Sequence, residues 1–303
     1  MKKLAFLFVL VLGISGISRA QYSMDFGLNF GGAHYVGEIG DPGITEDLEN
    51  PFPLYITPQA LRYSVGAFYR YNFTRNIAAR FEANWVRISG VDSLAESPAR
   101  RGRNLSFRTD IIEFSLMGEY AFWTKDDISR KNRIDFQADV HAGIGYILYY
   151  PQAQLDDKWF GLRELATEGI ENQYDVGSLI VPVGVGFSWT FNKKIRAGMD
   201  FSYRFTFTDY LDDVSTDYAY PEELPYAESF TFANRSAEAF QRGDSDLPNP
   251  GFYNPGSRRG NPETNDGYFL AMFKVSYTIN MNNSFYKARY KSLINRRRKR
   301  TKF

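Results

Sequence analysis

Residues 133–150 read Arg-Ile-Asp-Phe-Gln-Ala-Asp-Val-His-Ala-Gly-Ile-Gly-Tyr-Ile-Leu-Tyr-Tyr. Ile134, Phe136, Ala138, Val140, Ala142, Ile144, Tyr146 and Leu148 form one apolar row, and Asp135, Gln137, Asp139 and His141 occupy the positions between them. Side chains alternate faces along a strand, so one face of this segment wants hydrocarbon and the other wants charge. A barrel with lipid outside and a polar interior makes that demand.

Seven further segments show the same alternation: 22–30, 62–73, 77–90, 108–123, 179–191, 195–208 and 267–279. The gaps between successive strands run long, short, long, short to the end. The expected fold is all-β, an eight-stranded antiparallel transmembrane β-barrel of outer-membrane type with long extracellular loops and a basic C-terminal tail. Short turns then follow the second, fourth and sixth strands and face the periplasm, as do both termini. A soluble β-sandwich also alternates, but it does not enclose a second regular face of Arg, Asp and Glu. The enclosed face should carry Arg62, Arg70, Arg80, Arg196, Arg204 and Lys274 against Asp25, Glu82, Glu113, Glu119, Asp135, Asp139 and Asp200. Eight strands leave an interior just wide enough for side chains, so these charges should pair and plug it. Glycines on the polar face of 179–191 suggest sharp curvature there.

The ends read differently. Residues 1–20 have the form of a signal peptide: Lys2 and Lys3, an apolar run over 4–17, and Ser18-Arg19-Ala20 before the expected cut. The barrel is expected over 21–280 and a basic periplasmic tail over 281–303. The chain has no cysteine, 26 Phe, 21 Tyr and 4 Trp. A closed sheet can supply rigidity without disulfides, and Tyr and Trp suit membrane interfaces. The chain has 36 basic and 35 acidic residues, but nine of the bases lie in the tail and three in the leader. The remaining body carries 24 bases against 35 acids, a net charge of −11.

Several stretches resemble the PorG-like barrels of the type IX secretion system. They are Gly31-Gly32-Ala33-His34-Tyr35-Val36-Gly37-Glu38-Ile39-Gly40 after the first strand and Leu165-Ala166-Thr167-Glu168-Gly169 before the sixth. The most specific is Thr206-Phe207-Thr208-Asp209-Tyr210-Leu211-Asp212-Asp213-Val214-Ser215-Thr216. Arg259-Gly260-Asn261-Pro262 and Asn265-Asp266-Gly267-Tyr268 complete the set. The resemblance implies a non-enzymatic outer-membrane component that ties a periplasmic ring of PorK-like lipoprotein and PorN-like protein to the membrane, with a role in protein secretion and gliding. The basic tail departs from that family pattern.

Outer-membrane lipid and the ring are the expected partners, with no nucleic acid and no cofactor. The expected ring contacts are Arg75, Lys125, Arg130, Lys131, Lys193 and Lys194 in the short turns, with Arg296, Arg297, Arg298, Lys299 and Arg300 in the tail. Tyr286, Tyr290, Leu293 and Ile294 have the spacing of a short helix that folds on binding. Asp209, Asp212, Asp213 and Asp217 raise the alternative of a divalent cation, against turn-forming acids. His34 and His141 raise that of a lipid-modifying enzyme, against a satisfied interior histidine. A small envelope-stabilising or adhesive barrel is the other functional reading.

Overall fold

A computed structural model describes residues 23–40, 60–125, 134–243 and 246–280. The strands are β1 (Ser23–Val36), β2 (Arg62–Asn72), β3 (Ile77–Val91), β4 (Ser106–Lys125), β5 (Ile134–Leu155), β6 (Lys158–Gly161), β7 (Gly177–Phe191), β8 (Ile195–Thr206) and β9 (Gly267–Asn280). Eight of them pair in an antiparallel up-and-down circuit in which each strand joins its neighbour in sequence, with β6 set aside. Asp25 opposite Thr278 joins β1 to β9, and Ser115 opposite Gly145 joins β4 to β5. The circle is therefore closed and none of its eight strands is an edge.

The eight expected strands are all present. The first is longer than the alternation suggested and runs on to Val36, because Gly31 and Gly32 interrupt the apolar–polar pattern without breaking the pairing. The fifth also continues past Tyr150 to Leu155, where it turns on itself. Asp156 and Asp157 both have positive φ (48° and 62°), the geometry of a two-residue hairpin, and β6 returns beside β5 outside the closed circle. Asn192 and Lys193 form the corresponding tight turn between β7 and β8.

The outer wall is apolar. Leu28, Phe30, Phe81, Phe114, Leu116, Ile144, Val183, Phe201, Phe273 and Val275 are all exposed, and Ile144 and Leu28 keep 68% and 66% of their surface. A continuous exposed belt of this kind belongs in hydrocarbon rather than water. No described helix is long and apolar enough to cross a membrane; this chain crosses with strands.

The enclosed space has two layers. The half nearer the short hairpins holds the charged network. The other half holds an apolar core built from Ala33, Val86, Ile88, Ile111, Ile147, Ile180, Leu270 and Met272, with Leu211 and Val214 of the β8–β9 connection inserted among them. The expected charge network thus fills one half, and the connection 207–216 carries its own apolar side chains down into the other. Above it lie the short helices α1 (Pro98–Arg103), α2 (Leu162–Leu165), α3 (Ala227–Ala233) and α4 (Ser236–Arg242), which with the loops form a folded cap.

Candidate functional site

The cap is organised by buried polar side chains drawn from stretches far apart in the chain. Glu168 accepts the backbone N–H groups of Ser215 and Thr216 at 2.9 and 3.0 Å, the Thr216 hydroxyl at 2.6 Å and Nη1 of Arg259 at 2.8 Å. Arg259 also donates to the Asp213 carbonyl, while the Asp213 carboxylate accepts from Thr167 and from the Tyr174 hydroxyl. Arg103 is paired with Asp92 through Nε and Nη2 and donates to the carbonyls of Arg259 and Glu38. These bonds tie three of the loops to one another and to the end of β1.

One contact imposes a condition on protonation. The Tyr35 oxygen lies 2.7 Å from Oδ2 of Asp212 and 2.6 Å from Oδ1 of Asp266, and it accepts the N–H of Glu38. A phenol has one hydrogen and cannot donate to both carboxylates. All three residues are buried, so the contact is satisfied when one carboxyl carries a proton and donates back to the phenol oxygen. The other carboxyl oxygens are engaged: Asp266 accepts the N–H of Leu211, and Asp212 that of Val214. Burial is the largest influence on these acids. It pushes Asp212 up to about 8, with Glu38 adding to the rise, and raises Asp266 well above the carboxylate range, with Asp212 adding to the rise. Asp209 is likewise pushed up to about 8 by burial. Asp213 rises only to about 6, because Arg259 opposes its burial.

The aspartates considered for a cation are therefore not gathered on one point. Asp212 faces Tyr35, Asp213 faces Tyr174 and Arg259, and Asp217 is exposed in a backbone bridge to Arg258. Among the described residues no group of three or more acids or histidines is arranged to hold a metal.

The lumen network joins five bases to six acids and one histidine. Arg80 meets Glu82 at 3.0 Å, Glu119 at 2.6 Å and Asp200 at 3.1 Å. Lys274 meets Glu82 and Asp200 at 2.7 and 2.8 Å. Arg204 is held on Glu113, which also accepts the Tyr268 hydroxyl. Arg70 pairs with Glu119, and Arg196 lies 3.2 Å from Asp25. His141 lies between Asp139 and Asp200, 3.6 Å from each. The β7 glycines make room for these groups: a Cβ at Gly184 would come within 2.7 Å of Nε2 of His141. Arg62 and Asp135, also expected inside, are half-buried near the barrel ends. The cavity lined by Phe68, Arg70, Arg80, Asp139, Arg196 and Lys274 measures about 30 Å³, room for a water rather than a channel.

Of the expected ring contacts, Arg75 lies in the β2–β3 turn, Lys125 ends β4, and Lys193 and Lys194 form the β7–β8 hairpin; all are exposed. The topology puts these turns on one rim, with the start of β1 at Ser23 and the end of β9 at Asn280, opposite the cap. Arg130, Lys131, Arg296, Arg297, Arg298, Lys299 and Arg300 lie outside the described residues. Sequence reasoning missed the Tyr35–Asp266 contact and the Asp92–Arg103 pair. Spacing along a strand carries no signal for contacts between loops.

The barrel can be set beside solved structures. It is similar to the N-terminal β-barrel domain of Pseudomonas aeruginosa OprF, at 8% identity over 86% of this chain and 98% of that one, with a TM-score of 0.35. It is also similar to Yersinia pestis Ail, the attachment invasion locus protein, in complex with the heparin analogue sucrose octasulfate. That match has 8% identity over 84% of this chain and 99% of that one, with a TM-score of 0.31. Acinetobacter baumannii CarO2 matches at 10% identity over 84% and 99%, with a TM-score of 0.20. No curated protein matches the sequence. A family model described as a domain of unknown function, DUF6089, matches residues 2–240, more than three quarters of the chain. This closed barrel, with its apolar wall and latched cap, belongs to the DUF6089 family.

Proposed function

We propose that the chain is a non-enzymatic outer-membrane component of the type IX secretion system and anchors a periplasmic ring of PorK-like and PorN-like proteins. The observation that carries this reading is the convergence of the resembling stretches. Tyr35, Glu168, Asp212, Ser215, Arg259 and Asp266 come from five separate segments and bond to one another in a single cluster beneath the cap. A set of motifs that forms one physical unit is a stronger mark of family than the same motifs scattered over a surface. The plugged lumen is consistent with an anchor rather than a conduit.

In this role the barrel fixes a position in the outer membrane, and the hairpin rim, with the tail that follows Asn280, holds the ring. The rim cations call for an acidic partner face. Charge reversal at Lys193 and Lys194 together is expected to weaken ring association about tenfold or more, as charge complementarity lost at an interface does. Crosslinking and pull-down from membranes measures it. Unchanged recovery of the ring lipoprotein with the double Glu variant would count against the rim as the dock, and loss of recovery on deleting 281–303 alone would move the dock to the tail.

The exposed Tyr220, Tyr226, Phe230 and Phe252 of the cap favour one second reading, an adhesive barrel that binds an external ligand. In that case truncating the cap would abolish function and reversing the rim charges would not.

A further inference from the structure

We propose that the outer face of the barrel, at its cap-side edge, seats the phosphate of an outer-leaflet lipid headgroup on Arg108. The even-numbered positions of β4 face outward, and Leu116, Phe114 and Ile112 are exposed apolar wall. The next two outward positions toward the cap are Asp110 and Arg108. The hydrocarbon wall therefore ends here in a row of charge.

Arg87, opposite Asp110 on β3, is already neutralised. Its Nε and Nη2 bond both oxygens of Asp110 at 2.6 and 2.8 Å, its Nη1 donates to the Tyr63 hydroxyl at 2.9 Å, and it lies over Trp85. Arg108 differs. Among the described residues no carboxylate lies within ion-pair distance of it, and Asp110 beside it is fully taken up by Arg87. Its guanidinium sits 3.6 Å from the centre of the Trp159 ring and donates from Nη2 to Gln152 at 2.8 Å. Trp159 belongs to β6, the ribbon that leaves the closed circle and stands beside this edge.

The site is thus a half-buried cation with no carboxylate partner among the described residues, held over an indole, one step above hydrocarbon. A cation in that position needs a counter-ion, and the anions at that depth of a bilayer are headgroup phosphates. Arginine suits them because its donors form a planar fork, and the aromatic platform fixes that fork in advance. With the hairpin rim toward the periplasm, this edge meets the outer leaflet. The assignment uses the membrane setting of the barrel but is independent of ring anchoring.

The test uses the full chain in phosphatidylcholine nanodiscs doped with bisphosphorylated lipid A, with lipid retention read by native mass spectrometry. The wild type is expected to retain lipid A and to retain dephosphorylated lipid A poorly. Arg108→Gln is expected to lower retention about fivefold, the effect of one base near a charged surface. Trp159→Leu, which lies outside the closed barrel and spares its pairing, is expected to lower it in the same direction. Heat-modifiable migration on gels checks that each variant is folded. Equal retention of the phosphorylated and dephosphorylated lipids, or full retention by both variants, would overturn the proposal. So would displacement of the lipid by inorganic phosphate, which would make this a site for a free ion.

Discussion

Replacing Arg80 with Met is expected to destabilise the barrel by about 3–5 kcal/mol, the usual consequence of removing one partner from a buried ionic network. Arg80 is the hub of the lumen, with ion pairs to Glu82, Glu119 and Asp200 and 5% of its surface exposed. Met fills much of the volume, so packing is nearly kept and the loss is electrostatic. Glu82 and Asp200 keep the closer Lys274, and Glu119 keeps the closer Arg70, but each acid loses one of its cations in a closed interior. The urea midpoint of the folded chain in detergent, followed by tryptophan fluorescence, measures the effect. Glu119→Gln removes one of the stranded charges, so the double variant should lose less than the sum of the two single losses. An unchanged midpoint for Arg80→Met would mean that the lumen charges are solvated and do not hold the barrel together.

The cap should close tightly in acid and loosen as pH rises. Asp209 and Asp212 are pushed up to about 8 and Asp213 to about 6, and Asp266 is raised well above the usual range, in each case chiefly by burial. With the loop opened to water these carboxyls return to the ordinary value of about 4. Between those limits the closed cap holds protons that the open loop releases. Closure is therefore favoured below about pH 4 and weakens as pH rises through the raised values, about 6 for Asp213 and about 8 for Asp209 and Asp212. The groups facing this cluster are Tyr35 on β1, Glu38 beyond it, Arg103 on α1, Glu168 before β7 and Arg259 before β9. The two arginines are already committed to Asp92 and Glu168, so they offset the acids only in part.

Hydrogen exchange over residues 207–216, corrected for the intrinsic pH dependence, is expected to lose at least about tenfold in protection between pH 6 and pH 9, which corresponds to 1.4 kcal/mol of closure. Asp266→Asn should suppress much of that change. The amide nitrogen can donate to the Tyr35 oxygen as a protonated carboxyl would, and the amide oxygen can still accept from Leu211. Protection that stays flat across this range, or a cap that opens in Asp266→Asn at pH 6, would show that no shared proton holds the latch.

The barrel was legible because lipid imposes a strict rule. Every membrane-spanning strand must present apolar groups outward at every second residue, and Phe26, Leu28 and Phe30, or Phe201, Phe205 and Phe207, are exposed on that face. The same rule disclosed most of the lumen charges, since inward positions are the ones left over. It failed where lipid no longer acts. Beyond Phe30 the first strand passes between loop residues and a soluble-type core, so Ala33 and Tyr35 face inward as buried groups and His34 is covered as well. The second half of β5 and the β6 ribbon lie in the same region.

The candidate site was legible only in pieces. Turn position exposed Arg75, Lys125, Lys193 and Lys194, because short hairpins in a meander all return to one rim. The acids of 209–217 stood out as a cluster in sequence, but their neighbours in space are Tyr35, Glu168, Arg259 and Asp266, which lie between about 40 and 180 residues away along the chain.

Strand number, facing, rim and wall follow from local alternation, because a residue's place in a pleated strand depends only on its immediate neighbours and on the solvent each face meets. The layered interior, the proton shared beneath the cap and the seating of Arg108 on Trp159 arise from which loops meet once the circle has closed. Those encounters depend on burial and on long-range pairing, and no spacing along the chain encodes them.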